Sequence, residues 1–367
     1  MDPVEVCVVH VAADAAGRTF DATVRVLAQL GLRQVLLPLR EGPLARSAQQ
    51  LEVRALQWPG NVLGRIRALE TELAALAGEK SFYAVHLHGA VACLLGSRAL
   101  RANALRSRLP LTARLLFSPQ LYDSSSWKSL LTGRLLRAEL APLHSGVLIA
   151  SPGEAHVLSR LLERSAEVLP PAVDPAFFQV QRQPATKPTV LAGGTGMEAV
   201  DGVSRLAVLL NGRQDRVALA WLGSVISAGR AQLEAAGVQV FDGEDPAGAA
   251  RLLSGAAAYV HLSQANGHLS ALAQAMAAGV PCLATDTLAH RVMLRHGETG
   301  LICAGDLDFV EKLILLLRDA PERERIGQAA RAEAGRLFTQ RHFETAVLRA
   351  YGFERVTLLP RKSVNAA

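Results

Sequence analysis

The chain has 367 residues, of which half are hydrophobic and a fifth are charged. That composition supplies sizeable cores for two domains of ordinary length and excludes a disordered or collagen-like chain. Net charge is +6, but aromatics make up only 5% and no nucleic-acid-binding module is legible, so nucleic acid is not an expected partner.

No apolar run approaches the roughly 18 residues of a membrane-spanning helix. The sequence opens Met1-Asp2-Pro3 and enters a strand at once, without a basic and apolar leader, so a cytoplasmic protein is expected. Cys7, Cys93, Cys282 and Cys303 are scattered in apolar surroundings, with neither C-x-x-C pairing nor an adjacent His at ligand spacing. They read as buried reduced thiols, and no metal or other cofactor is expected.

Along the chain, short apolar runs alternate with longer helical patterns, the mark of open parallel sheets. Strands are expected from Val4 to Val9, Gln34 to Leu39, Ala84 to Leu87, Ala113 to Phe117 and Gly146 to Ala150. Helices fit near Thr19 to Leu30, Val62 to Ala77 and Ser126 to Ala141. Residues 179–187 (QVQRQPATK) lose periodicity, which places an interdomain linker at 181–187. A second set of strands follows, at Thr189 to Ala192, Val217 to Leu222, Val238 to Phe241, Ala258 to Leu262, Pro281 to Ala284 and Gly300 to Cys303. Two doubly wound α/β halves are implied, and ligands of such sheets bind at the carboxyl ends of the strands.

Charge is unevenly placed. From Ala90 to Leu140 there are eight basic residues against two acidic ones, so that segment alone nets +6. Leu130, Leu131, Leu135 and Leu136 interleave there with Trp127, Lys128, Arg134 and Arg137 at helical spacing. Two readings stand side by side: a helix packed on the core with a solvated rim, or a face that docks on anionic lipid or a lipid-linked acceptor.

The most informative segment is HLSQANGHLSALAQAMAAGVPCLATDT, His261 to Thr287. A buried strand, a Gly-containing turn, a small-residue helix from about Leu269 to Ala278 and a further strand would aim backbone amides and a helix N-terminus at an anionic ligand. It resembles the donor site of glycosyltransferase family 4, whose members have the GT-B fold. Other landmarks appear in the same order: Val173-Asp174 with Phe178, the turn His296-Gly297-Glu298-Thr299-Gly300-Leu301, and closing helices over Asp306 to Asp319 and Phe338 to Tyr351.

The resemblance implies an α/β protein of GT-B type, two doubly wound Rossmann-like domains facing across a cleft. By that reading residues 1–180 form the acceptor-side domain and 188–336 the donor-nucleotide domain. Residues 337–355 then form a helix crossing back to the first domain, and 356–367 a tail. The co-substrate would be a nucleotide diphosphate sugar. Donor contacts fall on Gly193, Gly194, Thr195, Gly196, Asn266, Gly267, His268 and Gln274, and the acceptor-side loop on Ala15, Ala16 and Gly17.

Several hallmark positions depart from the family pattern. Asn266 and Gln274 stand where it has a pair of Glu residues, Gly196 and Asp201 where it has the Arg and Lys that hold the diphosphate, and Gln120 where it has a His. Each change keeps some hydrogen-bonding capacity but removes a charge or a titratable group. The catalytic candidates that remain are His88, Gln120 and Asn266. His88 lies with His86 at a strand end expected to face the cleft, and Lys187, Arg205 or Arg213 would have to replace the missing cations.

Two functions follow. One is a retaining transferase that moves a hexose from a nucleotide diphosphate sugar to a lipid-linked or glycan acceptor in envelope or extracellular polysaccharide synthesis. It would work in the cytoplasm or peripherally at the inner face of the plasma membrane. The other is a catalytically inactive relative that binds or stabilises a partner glycosyltransferase. An epimerase or phosphorylase reading has no supporting motif.

Overall fold

The computed structural model describes residues 6–12, 18–39, 51–58, 60–101, 114–118, 127–140, 145–149, 166–183, 188–194, 196–212, 217–243, 245–263 and 269–353. The first lobe runs β1 (Val6–Ala12), α1 (Arg18–Gln29), β2 (Arg33–Pro38), β3 (Glu52–Val53), α2 (Val62–Glu79), β4 (Ser81–His88) and α3 (Ala90–Arg101). It continues with β5 (Arg114–Ser118), α4 (Trp127–Leu140), β6 (Ser145–Ile149), β7 (Ala166–Val168) and the short α5 (Pro175–Gln179).

The second lobe runs β8 (Thr189–Gly193), α6 (Gly196–Asn211), β9 (Ala218–Leu222), α7 (Ser227–Ala235), β10 (Gln239–Phe241) and α8 (Pro246–Gly255). Then come β11 (Ala258–His261), α9 (Ser270–Ala277), β12 (Cys282–Thr285), α10 (Leu288–Met293) and β13 (Leu301–Cys303). Three helices close the chain: α11 (Asp306–Arg318), α12 (Ala320–Leu337) and α13 (Gln340–Ala350).

Both sheets are parallel. Their strand orders are β3-β2-β1-β4-β5-β6-β7 and β10-β9-β8-β11-β12-β13. In each, the chain starts in the middle, works to one edge and then jumps back to the other side. This creates a crevice at the carboxyl ends of β1 and β4 in one sheet and of β8 and β11 in the other. Such strands are buried on both faces, which is why they read as continuous apolar runs instead of alternating ones. β4 and β11 illustrate this: the last five residues of β4 and all of β11 are buried.

β3 and α3 lie outside the strands and helices expected from the sequence. α3 buries small residues, Ala92, Cys93, Gly96, Ser97 and Ala99, beneath its exposed Arg98. A Cβ on Gly96 would fall 2.7 Å from the Leu87 methyls, so glycine lets this helix lie close on β4. Glu139 of α4, nearly buried, accepts from Arg98 Nε at 2.7 Å and also pairs with Arg101, tying α4 to α3. Leu136 and Leu140 of α4 face the core, whereas Leu131 and Leu135 are half-exposed beside Arg134 and Arg137.

The last helix returns to the first lobe. Phe343, Val347 and Tyr351 pack with Val8, Val26, Leu27, Ala84 and Leu116. Val173 and Phe177, upstream of the expected 181–187 linker, are buried in the core of the second lobe. All four cysteines are buried free thiols, and burial pushes the Cys303 thiol up to about 12. No helix of the described residues is long and apolar enough to cross a membrane.

Candidate functional site

A cleft of about 260 Å³ opens at the carboxyl edge of the second sheet, with Thr19 of α1 on its far side. The lobes therefore meet across it. Glycines shape its floor. A Cβ on Gly193 would overlap Tyr259 Oη and lie 3.1 Å from the Leu222 carbonyl, and one on Gly194 would lie 2.5 Å from Ala199 Cβ. Gly223 has φ +137°, and a Cβ on Gly243 would lie 3.2 Å from Gly223 Cα. Larger residues at these places would collide with the neighbouring protein atoms that form the cleft wall.

Two helices begin at this edge. α6 starts at Gly196, with φ +80°, directly after the β8 glycines. α9 starts after Leu269 with no side-chain cap, and Ser270, Ala271 and Gln274 of its first turns line the cleft. The backbone amides and dipoles of helix N-termini favour an anion. Glu198, in the first turn of α6, opposes it.

Of the expected donor residues, Gly194 and Gln274 line the cleft and Gly193 ends the strand beside it. Thr195, Asn266, Gly267 and His268 lie outside the described residues, as do Gln120, Ala15, Ala16, Gly17, Lys187 and Arg213. Asp201 sits inside α6, where it accepts from Gln232 Nε2 at 2.8 Å. Arg205 does not reach the cleft. Its Nε donates to Asp306 of α11 at 2.8 Å, on the exposed side of α6 and not among the described residues that line the cleft. Among the described lining residues none is charged.

The histidines are placed by topology. His86 was expected at the cleft but faces α13 instead: it is buried, with Nδ1 2.7 Å from Tyr351 Oη, because the returning helix covers that part of β4. His88 ends β4, 7% exposed, with Nε2 3.0 Å from His10 Nδ1, and is not among the described residues that line the cleft. His10 Nε2 lies 3.1 Å from Gln34 Oε1, and Gln34 Nε2 donates to the Val24 carbonyl at 3.0 Å. Burial holds His10 down at about 4, against a smaller opposing effect of its Gln34 hydrogen bond, and holds His86 and His88 well below the usual range.

The second sheet has its own pair at the equivalent edge. His261 is the register partner of Gly193, and its Nδ1 is 2.8 Å from His290 Nε2 on α10. No role is expected from the sequence for either of these, nor for Tyr259, Thr19 or the Gly223–Gly243 contact. Each is brought to the edge by strand pairing or interlobe packing. The one local signal was a polar residue closing an otherwise apolar strand.

Residues 228–333 match the family described as Glycosyl transferases group 1. No curated protein matches the chain. HepE of Anabaena, solved with UDP and glucose, superposes with a TM-score of 0.73 at 13% identity, over 95% of this chain and 100% of that one. Sucrose-phosphate synthase of Thermosynechococcus elongatus gives 0.73 at 15% identity over 95% and 98%. WaaG, a glycosyltransferase involved in lipopolysaccharide biosynthesis, gives 0.64 at 15% over 94% and 100%. The chain therefore has the GT-B fold, two parallel Rossmann-like sheets that meet across a cleft, with its match to the group 1 glycosyl transferases confined to the second lobe.

Proposed function

We propose that this chain is a divergent member of glycosyltransferase family 4 that binds a nucleotide diphosphate sugar in the cleft at Gly193, Gly194 and Gln274. In this reading it transfers a hexose, with retention, to a lipid-linked or glycan acceptor presented by the first lobe. The observation that carries the reading is the glycine-floored space of about 260 Å³ at the β8–β11 edge, flanked by the starts of two helices. The diphosphate would rest on loop amides and helix N-termini, with Gln274 at the ribose. HepE, of the same fold, is solved with UDP-glucose, which supports a uridine nucleotide as the first ligand to try. Work at the cytoplasmic face of a membrane suits the exposed Leu131 and Leu135 beside Arg134 and Arg137 on α4.

A second reading is favoured by one observation, the lack of any charged residue among the described lining of the cleft. Removing a pre-organised electrostatic group costs a transfer reaction about 2.7 to 4 kcal/mol of barrier. A chain lacking several would serve as a silent subunit that binds or stabilises a partner glycosyltransferase.

A thermal-shift titration with UDP, GDP and their sugars tests the first step, because a ligand of the folded state raises the melting temperature with the logarithm of its concentration over Kd. A shift with one nucleotide sugar, followed by its hydrolysis or transfer, supports the transferase. A shift without turnover supports the silent subunit. No shift at millimolar ligand removes the transferase and leaves the silent subunit.

A further inference from the structure

The first sheet carries a second constellation that the sugar-nucleotide reading does not use. His10 on β1 and His86 on β4 are register partners, and His88 follows two residues later. Residues two apart on a strand share a face, so all three imidazoles converge on one side of two neighbouring strands. One ring nitrogen from each lies within 4.8 Å of the others. We propose that His10, His86 and His88 form a binding site for one divalent transition-metal ion of the zinc class, at the β1–β4 switch point.

The geometry is close to that of a bound ion. With metal–nitrogen bonds of about 2.0 to 2.1 Å, two ligands on a tetrahedral zinc sit roughly 3.3 Å apart. His10 Nδ1 and His88 Nε2 are already 3.0 Å apart. The most distant pair, at 4.8 Å or less, must close by about 1.5 Å, within reach of side-chain rotation.

The rings are also held by outer partners of the kind that orient metal ligands. Because Gln34 Nε2 donates to the Val24 carbonyl, Gln34 Oε1 faces His10 and must accept the proton of its Nε2. That fixes the tautomer of His10 and points the lone pair of Nδ1 at His88. His86 is set by Tyr351, whose Oη accepts from Nδ1 in the tautomer that directs Nε2 to the ion. His88 needs only to move its proton from Nε2 to Nδ1, so binding releases no net proton.

Neutral imidazole is the form that coordinates a metal ion, and each ring here already presents one nitrogen to the cluster. An all-imidazole set suits Zn²⁺, Co²⁺, Ni²⁺ or Cu²⁺ and not the oxygen-seeking Mg²⁺ or Ca²⁺. His88, at the carboxyl end of β4, is the least buried of the three and gives the ion its entry. The competing account is a hydrogen-bonded histidine core, which needs no ion and predicts no affinity.

The test uses the tag-free full chain, stripped with chelator and titrated with Zn²⁺ by calorimetry and with Co²⁺ by absorbance. The expected result is one ion per chain, with the visible bands of a non-octahedral Co²⁺, and no comparable response to Mg²⁺. His88→Ala and His10→Ala should each weaken binding by on the order of 100-fold, and Gln34→Leu by about 10-fold. His296→Ala and His342→Ala, at exposed sites, should leave the stoichiometry unchanged. Failure of the wild-type chain to bind Zn²⁺ or Co²⁺ at micromolar concentration overturns the proposal, as does binding undiminished by His88→Ala. Should the alanine variants not fold, His88→Gln replaces them, and an unaltered Co²⁺ spectrum in that variant has the same meaning. None of these readouts involves sugar nucleotide, so the outcome is separable from that of the transferase reading.

Discussion

His261 Nδ1 donates to His290 Nε2 across 2.8 Å, and the rest of the hydrogen-bond chain fixes that direction. His290 Nδ1 lies 2.7 Å from the Thr285 carbonyl, which can only accept, so Nδ1 carries the His290 proton and Nε2 is left to accept. His261 Nε2 is then a bare lone pair, buried and without a hydrogen-bond partner among the described residues. A lone pair of this kind beside Gly193 is a place for a donor from a ligand or from the neighbouring turn.

This pair makes stability depend on pH. Burial drives the His290 imidazole from 6.5 down to about 4, against weaker opposing effects of the Thr285 carbonyl and the Asp286 carboxylate, and drives His261 down as well. Asp286 is itself held by Arg291, so it offers His290 little relief. The unfolded chain binds protons that the fold refuses, and stability is lost as pH falls from 6.5 towards 4. His290 alone should contribute a loss of about 3 kcal/mol over that window. Urea midpoints measured at several pH values should show a shallower slope in His290→Gln than in the parent chain. Equal slopes would contradict the assignment.

The glycine floor should show energetic coupling to Tyr259. Gly193→Ala puts a methyl into Tyr259 Oη and against the Leu222 carbonyl, an overpacking worth about 1 to 3 kcal/mol. In a Tyr259→Phe background the first clash is gone, so the same substitution should cost less. A double-mutant cycle in urea should give a coupling of at least about 0.5 kcal/mol, whereas additive costs would mean the loop moves aside.

Gln274→Glu restores a carboxylate at a nearly buried position that lines the cleft. Hydrogen bonds to a charged acceptor are roughly twice as strong as neutral ones, so affinity for a nucleoside diphosphate should rise about tenfold if the ribose sits there. Calorimetry with UDP decides. Unchanged or weaker affinity would place the nucleoside elsewhere.

Helix α4 should bring the chain to anionic vesicles. Leu131 and Leu135 are 50% and 46% exposed beside Arg134 and Arg137. Each basic residue near an anionic surface adds about 1 kcal/mol, screened by salt. Co-sedimentation with phosphatidylglycerol vesicles should therefore fall with added salt and fall further in Leu131→Ser/Leu135→Ser. Indifference to both changes would leave α4 as an ordinary rim helix.

Much of the second lobe was legible because its signals are local. The run Ala258 to Leu262 announced a buried strand, and β11 ends at His261, one residue earlier. The turn around His296 is set largely by its own residues: His296 Nδ1 accepts from Ile302 N at 2.9 Å, Thr299 Oγ1 accepts from Arg295 N at 2.9 Å, and Gly297 sits at φ +78°. Helix α9 matched its expected extent to within a residue or so because small apolar residues fill it. α3 carries a weaker local signal because its buried face mixes Leu95 and Leu100 with Ala, Cys, Gly and Ser, small residues that give little periodic contrast.

The sequence by itself determined the class of fold, through apolar runs of strand length spaced by helices, and it marked the glycines that close β8 and open α6. Those properties are set within a few residues. Tertiary structure alone decided which polar groups meet: His10 with His88, 78 residues apart, His86 with Tyr351, 265 apart, and Arg205 with Asp306 instead of a phosphate. A buried imidazole must find a partner or lose its charge. Which partner it finds depends on strand order and on the return of the last helix to the first lobe, and these are written in no local stretch of chain.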